Sequence, residues 1–127
     1  MKQYLLDTNI LIYYFNGNME GTVKDKVSML IRDSFQISVI SKMEFLGFPF
    51  NPQERLKAGW FMEYATIRRL SDEIVQHVID IRKEKSIKLP DAIIAATAVQ
   101  YSAILVTRNT KDFKMLALDT YNPFAGD

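Results

Sequence analysis

Cysteine is absent from this chain of 127 residues, which excludes disulfides and thiolate metal sites. Histidine is scarce too: His77 stands alone, so a zinc site of the usual kind lacks ligands. Neither sign of charge dominates. Sixteen Lys and Arg against fifteen Asp and Glu leave a formal net charge of +1. No strongly basic surface therefore announces a polyanionic partner, although local clusters matter more than the sum. Arg68-Arg69 is one such cluster, and Arg82, Lys83, Lys85 and Lys88 are another; both read first as solvated surface. Long hydrophobic runs are missing as well. The longest, Ala92 to Val106, is interrupted by Thr97, Gln100, Tyr101 and Ser102, and is too short and polar to span a membrane. Asp7 breaks the first apolar stretch before a secretion signal could form. Repeats and low-complexity tracts are not apparent. The expectation is a single domain over residues 1–127, cytoplasmic, with no membrane contact.

What is present is ordinary globular material, 48% apolar, enough for a real core at this length. Gln3 to Leu6 reads as a short strand buried on both faces. Thr8 and Asn9 can cap a helix running to Phe15, which Asn16-Gly17-Asn18 ends. Val23 to Ile31 is helical, with Val23, Val27, Leu30 and Ile31 on one face. Gln36 to Ile40 predicts a second strand. Ser41 then opens a short helix to Leu46, broken by Gly47 and Pro49. Pro52 to Tyr64 predicts a helix, and Ile67 to Leu70 a weak strand. Asp72 can cap a long helix with Ile74, Val75, Val78, Ile79 and Ile81 toward the core. Pro90 suits the first turn of a helix from Asp91 to Tyr101, and Ile104 to Val106 predicts a third main strand. Arg108 to Asp112 reads as a polar turn, and Met115 to Leu118 as a last strand. Short strands separated by helices imply a three-layer α/β/α sandwich around a mostly parallel sheet of four to five strands.

In such sheets ligands sit at the carboxyl ends of the strands. Asp7 follows the first strand, Glu44 lies one turn past the second, Asp91 starts a helix, and Asp112 follows the third main strand. Taken singly, each acid has a plain use. Asp7 can cap its helix. Ser41-x-x-Glu44 has the spacing of a capping box. Asp91 suits the positive end of a helix dipole, and Asp112 a turn. Taken together in one cleft they would repel one another unless a cation intervened. Carboxylate oxygens are hard ligands that favour Mg²⁺ or Mn²⁺. Such a site can hydrolyse a phosphodiester through metal-activated water, with no protein nucleophile.

Four ordered blocks carry a resemblance. They are Leu5-Leu6-Asp7-Thr8-Asn9-Ile10-Leu11-Ile12, Ile40-Ser41-Lys42-Met43-Glu44-Phe45, Leu89-Pro90-Asp91-Ala92-Ile93-Ile94-Ala95-Ala96-Thr97-Ala98, and Leu105-Val106-Thr107-Arg108-Asn109-Thr110-Lys111-Asp112-Phe113. The ending Tyr121-Asn122-Pro123-Phe124 adds to it. In order and spacing the chain resembles the PIN domains, and within them the VapC-type toxins of toxin–antitoxin pairs. The resemblance implies an endoribonuclease dependent on Mg²⁺ or Mn²⁺, with Asp7, Glu44, Asp91 and Asp112 as catalytic metal ligands. Some relatives carry the fourth acid where this chain has Asn109. It further implies support from Asn9, which would orient Asp7, and from Thr8, Thr107 and Asn109. Arg108 and Lys42 are the candidate contacts to RNA phosphate. The implied partners are an RNA substrate, a cognate antitoxin protein and a second copy in a homodimer. Tyr13, Tyr14, Phe15, Phe45, Phe48, Phe50, Trp60 and Phe61 could line an antitoxin groove, with about half of them expected in the core.

Other classes fit less well. A phosphatase with an Asp nucleophile needs a second Asp where Asn9 stands, and a phosphorylated receiver needs an adjacent acid pair after the first strand. A housekeeping PIN nuclease of RNA maturation and a non-catalytic PIN-like RNA- or protein-binding module remain as alternatives.

Overall fold

The computed structural model describes residues 2–125. Its elements run β1 (Gln3–Leu6), α1 (Thr8–Phe15), α2 (Gly21–Asp33), β2 (Gln36–Ser38), α3 (Val39–Leu46), α4 (Pro52–Met62), β3 (Thr66–Arg68), α5 (Asp72–Glu84), α6 (Leu89–Gln100), β4 (Ala103–Val106), α7 (Thr110–Phe113) and β5 (Thr120–Tyr121). Every strand pair is parallel. One ladder runs β1-β4-β5 and the other β2-β3. β1 and β2 lie side by side, and the Gln36 amide donates to the Gln3 side chain across the gap between the ladders.

Alternation along the strands divides the core. Leu6 and Val106 face one way with Ile37, into a cluster built from α1 to α4. Leu5, Ala103 and Leu105 face the other way, against α6, α7 and the flank of α5. This is the three-layer α/β/α arrangement expected from the sequence. The first layer is dense with rings: Phe45 and Phe50 are buried, Phe15 packs on both, Phe61 packs on Phe45, and Tyr14 stacks on Phe61. The other is close-packed through Ala92, Ala95, Ala96 and Ala98 of α6, whose small side chains let the helix approach both the sheet and α5.

Several boundaries differ from expectation, each for a local reason. β2 stops at Ser38, whose hydroxyl accepts from the Ile40 amide and caps α3. Ser41 therefore lies inside α3, and its expected capping box with Glu44 does not form. Asp7, rather than Thr8 or Asn9, caps α1 through the Thr8 amide. Ser71, rather than Asp72, caps α5 through the Ile74 amide. Of the apolar residues on α5, Ile74 and Val78 are buried while Val75 and Ile79 remain exposed. The turn at 108–112 is partly helical, as α7. Met115 to Leu118 is not a strand: Leu116 and Leu118 cover the second core without a ladder, and Met115 is 73% exposed. The last strand falls at Thr120–Tyr121 instead, paired with β4. After α1 the chain reverses at Gly17, whose φ of +72° is open to glycine at no steric cost. Among the described residues no helix is long and apolar enough to cross a membrane.

Candidate active site

Parallel register brings the ends of β1 and β4 together. Leu6 pairs with Val106, so the next residues, Asp7 and Thr107, fall side by side although 100 positions separate them. The Asp7 amide donates to the Val106 carbonyl (2.9 Å), which extends the ladder into the site. Thr107 Oγ1 donates to Asp7 Oδ2 (2.8 Å) and accepts from the Asn109 amide (3.0 Å). The Thr8 amide donates to Asp7 Oδ1 (2.8 Å). Both carboxylate oxygens are thus fixed. Asn9 is exposed on α1, and the groups that orient Asp7 are Thr107 and the Thr8 backbone.

A second hydroxyl links the next acid. Thr8 Oγ1 lies 2.6 Å from Glu44 Oε1 and 2.9 Å from Ser41 Oγ. It has one proton, and the carboxylate can only accept, so Thr8 donates to Glu44 and receives from Ser41. Ser41 is fully buried, held beneath the site by the packing of α1 on α3. Its role here was legible only as a cap from the sequence.

Asp91 stands in the first turn of α6, directly after Pro90, and Asp112 lies in α7. The two line one cavity of about 520 Å³ together with Lys85, Lys88 and Lys111. By sequence alone Lys85 and Lys88 read as solvated surface, and Lys111 carries no signal of its own. The adjacency Lys88-Leu89-Pro90-Asp91 was the available signal, since a helix start carries both its cap residue and its first-turn acid to one edge. Lys42, partly buried on α3, makes no polar contact with the four acids among the described residues.

The electrostatics show that the acids sense one another. Burial pushes the Asp7 carboxyl up to about 6, and the charges of Asp91 and Glu44 push the same way. Its bonds from Thr107 and the Thr8 amide oppose that rise. Asp91 is also raised, first by burial and then by Asp112 and Glu44, while Lys88 pulls it down. Among the described residues no ion pair neutralises any of the four acids.

The donors suit a hard divalent cation in kind and in charge: carboxylates and hydroxyls, with no sulfur and no histidine. The spacing is looser than a finished cage, since among the described residues no three acids or histidines are already gathered around one point.

Of the eight aromatics considered for a partner groove, Phe45 and Phe50 are core and five others pack half-buried around them; Trp60 is 56% exposed. His77 pairs with Gln100 between α5 and α6, away from the acids.

The family model for the PIN domain matches residues 4–117. No curated protein matches the chain. Among solved structures, a chain of a toxin–antitoxin complex from Klebsiella pneumoniae is 30% identical, with 98% of this chain and 100% of that one covered and a TM-score of 0.80. VapBC2 from Rickettsia felis, bound to a DNA fragment from its promoter, is similar at 26% identity over 94% of this chain and 97% of that one, with a TM-score of 0.79. DNA-bound VapBC from Salmonella typhimurium shares the fold at 20% identity, over 97% and 99% of the two chains, with a TM-score of 0.81.

Proposed function

The chain belongs to the PIN domain family, and from that premise we propose that it is a divalent-metal-dependent endoribonuclease serving as the toxin of a toxin–antitoxin pair. The observation that carries the catalytic half is the Asp7–Thr107 junction. It fixes a buried carboxylate that feels the charges of Glu44 and Asp91, while Asp112 acts in turn on Asp91, and among the described residues none of the four acids is in an ion pair. The toxin half rests on likeness over nearly the full length to a chain of the Klebsiella complex.

Asp7, Glu44, Asp91 and Asp112 would hold Mg²⁺ or Mn²⁺. Once bound, the cation supplies charge neutralisation and a more acidic water for in-line attack on a phosphodiester. The chain's own residues do the rest. Thr107 and the Thr8 amide hold both Asp7 oxygens, so its orientation does not drift when substrate enters. The Ser41–Thr8–Glu44 relay sets the direction of the second acid. Lys85, Lys88 and Lys111 face the Asp91–Asp112 cavity, where they can attract an RNA phosphate and keep the backbone near the acids.

The test is cleavage of total cellular RNA by purified protein in Mg²⁺ or Mn²⁺ against EDTA, beside Asp7→Asn. Discrete fragments that require both metal and Asp7 are expected. Equal cleavage by Asp7→Asn would remove the mechanism, and no cleavage by folded, partner-free protein in either metal would turn the reading toward a binding module.

A further inference from the structure

Arg108 directly follows Thr107, the residue that holds Asp7, and Asp112 lies four positions further on in α7. Yet among the described residues it makes no ion pair with either acid. Its guanidinium instead lies 4.5 Å from the centre of the Phe124 ring and 5.6 Å from that of Tyr13. The two rings meet edge to face, with centroids 5.8 Å apart and planes at 72°.

Three separate parts of the chain build this group, and each is braced. Tyr13 is carried by α1, the helix that Asp7 caps. Arg108 is carried by the loop that leaves β4. Phe124 is carried by the tail after β5, where the Thr107 amide donates to the Tyr121 carbonyl (3.0 Å) and the Phe124 amide to Asn122 Oδ1 (2.9 Å). Arg108 is exposed, and both rings are half-buried. Tyr13 comes six positions after Asp7, on the order of 9 Å along the helix, so the group stands beside the carboxylates and not on them.

We propose that Arg108, Tyr13 and Phe124 form a stacking subsite that seats one unpaired nucleobase of the RNA strand next to the phosphodiester being cut. This rests on the reading of the acid cluster as an RNA-cutting site and adds to it a position that senses base and strandedness. Ring faces and guanidinium planes both stack on bases, and the favourable energy is largely independent of base identity until shape or hydrogen bonding discriminates. A base inside an A-form duplex is already stacked and offers no free face, so only an unpaired one can enter. A simple phosphate contact would need the charge of Arg108 and not its plane; lysine would then serve equally. A latch that merely ties the tail to α1 would alter stability and not RNA binding.

The experiment uses the full chain carrying Asp7→Asn, so that bound RNA is not cut. The probe is a short single-stranded oligoribonucleotide with 2-aminopurine placed at successive positions, and beside it the same oligomer annealed to its complement. Fluorescence reports stacking and anisotropy reports affinity. The expected result is quenching at one probe position, seen with the single strand and not with the duplex. Arg108→Lys and Phe124→Leu should each abolish that quenching and weaken binding roughly tenfold, the loss of about one base stack. Phe124→Tyr should keep both. Thermal melts identify any variant that fails to fold, in which case Arg108→Lys, at an exposed position, carries the test. Unchanged quenching in Arg108→Lys and Phe124→Leu, quenching at no position, or absence of binding overturns the proposal. Cleavage by the protein with Asp7 intact is scored separately: quenching without cleavage removes the nuclease reading and keeps the subsite, and cleavage without quenching does the reverse.

Discussion

Gln36 and Asp7 are equally buried, each 5% exposed, at opposite ends of the sheet, and the fold treats them in opposite ways. Near the start of β1 and β2, Gln36 is neutral and fully partnered. Its amide donates to Gln3 and to Ser34 Oγ (2.9 Å), and its oxygen accepts from Arg68 Nε (2.9 Å) and Nη2 (2.6 Å). The spare charge of Arg68 rests 4.2 Å above the Tyr101 ring. At the far ends of β1 and β4, Asp7 is hydrogen-bonded but surrounded by more negative charge. One end is finished by the chain alone. The other gathers like charges that no ion pair neutralises among the described residues, which makes it the candidate working end.

The sharpest way to break the comparison is to neutralise Asp7. Asp7→Asn should reduce RNA cleavage to background in a gel assay while the circular dichroism spectrum stays that of the wild type.

The same substitution should stabilise the metal-free protein. Because the folded carboxyl sits near 6 and the unfolded one near 3.8, the native state binds the proton more tightly. The stability linked to that proton is complete below about 3.8 and is lost as pH rises through about 6. At neutral pH the deficit is about 3 kcal/mol. Urea titrations in chelator should show Asp7→Asn gaining on the wild type between those two pH values and holding its lead above them. A constant difference across the range would mean that the burial of Asp7 carries no such cost.

A smaller effect is expected from Thr107→Val, which keeps the shape and removes the donor to Asp7. Cleavage should fall about 10- to 100-fold, as for loss of a group that orients a metal ligand. The acid limb of its pH–rate profile should move upward, since the lost bond was lowering the Asp7 pKa. Wild-type rates in Thr107→Val would assign the orientation of Asp7 to the Thr8 amide alone.

Least of all, Gln36→Leu should lose about 1–2 kcal/mol by urea denaturation, because Arg68 is only half-buried and can find water, and its cleavage rate should be that of the wild type. A large loss of cleavage there would show that the two ends are coupled.

Much of this was legible in the sequence, for reasons that particular residues make plain. The runs at Leu5-Leu6 and Leu105-Val106 specify strands buried on both faces, and the helices between them force parallel pairing. Asp7 and Asp91 sit next to strand and helix boundaries that Thr8 and Pro90 mark. Less legible were positions whose meaning depends on a distant partner. Ser41 fits a helix cap by spacing, and it became a buried donor because Ser38 captured the cap first. Met115 to Leu118 has the apolar content of a strand, yet the place beside β4 was taken by Thr120–Tyr121.

The sequence by itself determined the fold class, the parallel sheet and which acids stand at its carboxyl edge, since periodicity, capping and chain order are local properties. Only the tertiary structure decided that Thr107 and not Asn9 holds Asp7, that three lysines share a cavity with Asp91 and Asp112, and that Arg108 lies over Tyr13 and Phe124. Those facts are set by register and by close approach between residues tens of positions apart, and a linear pattern carries no measure of either.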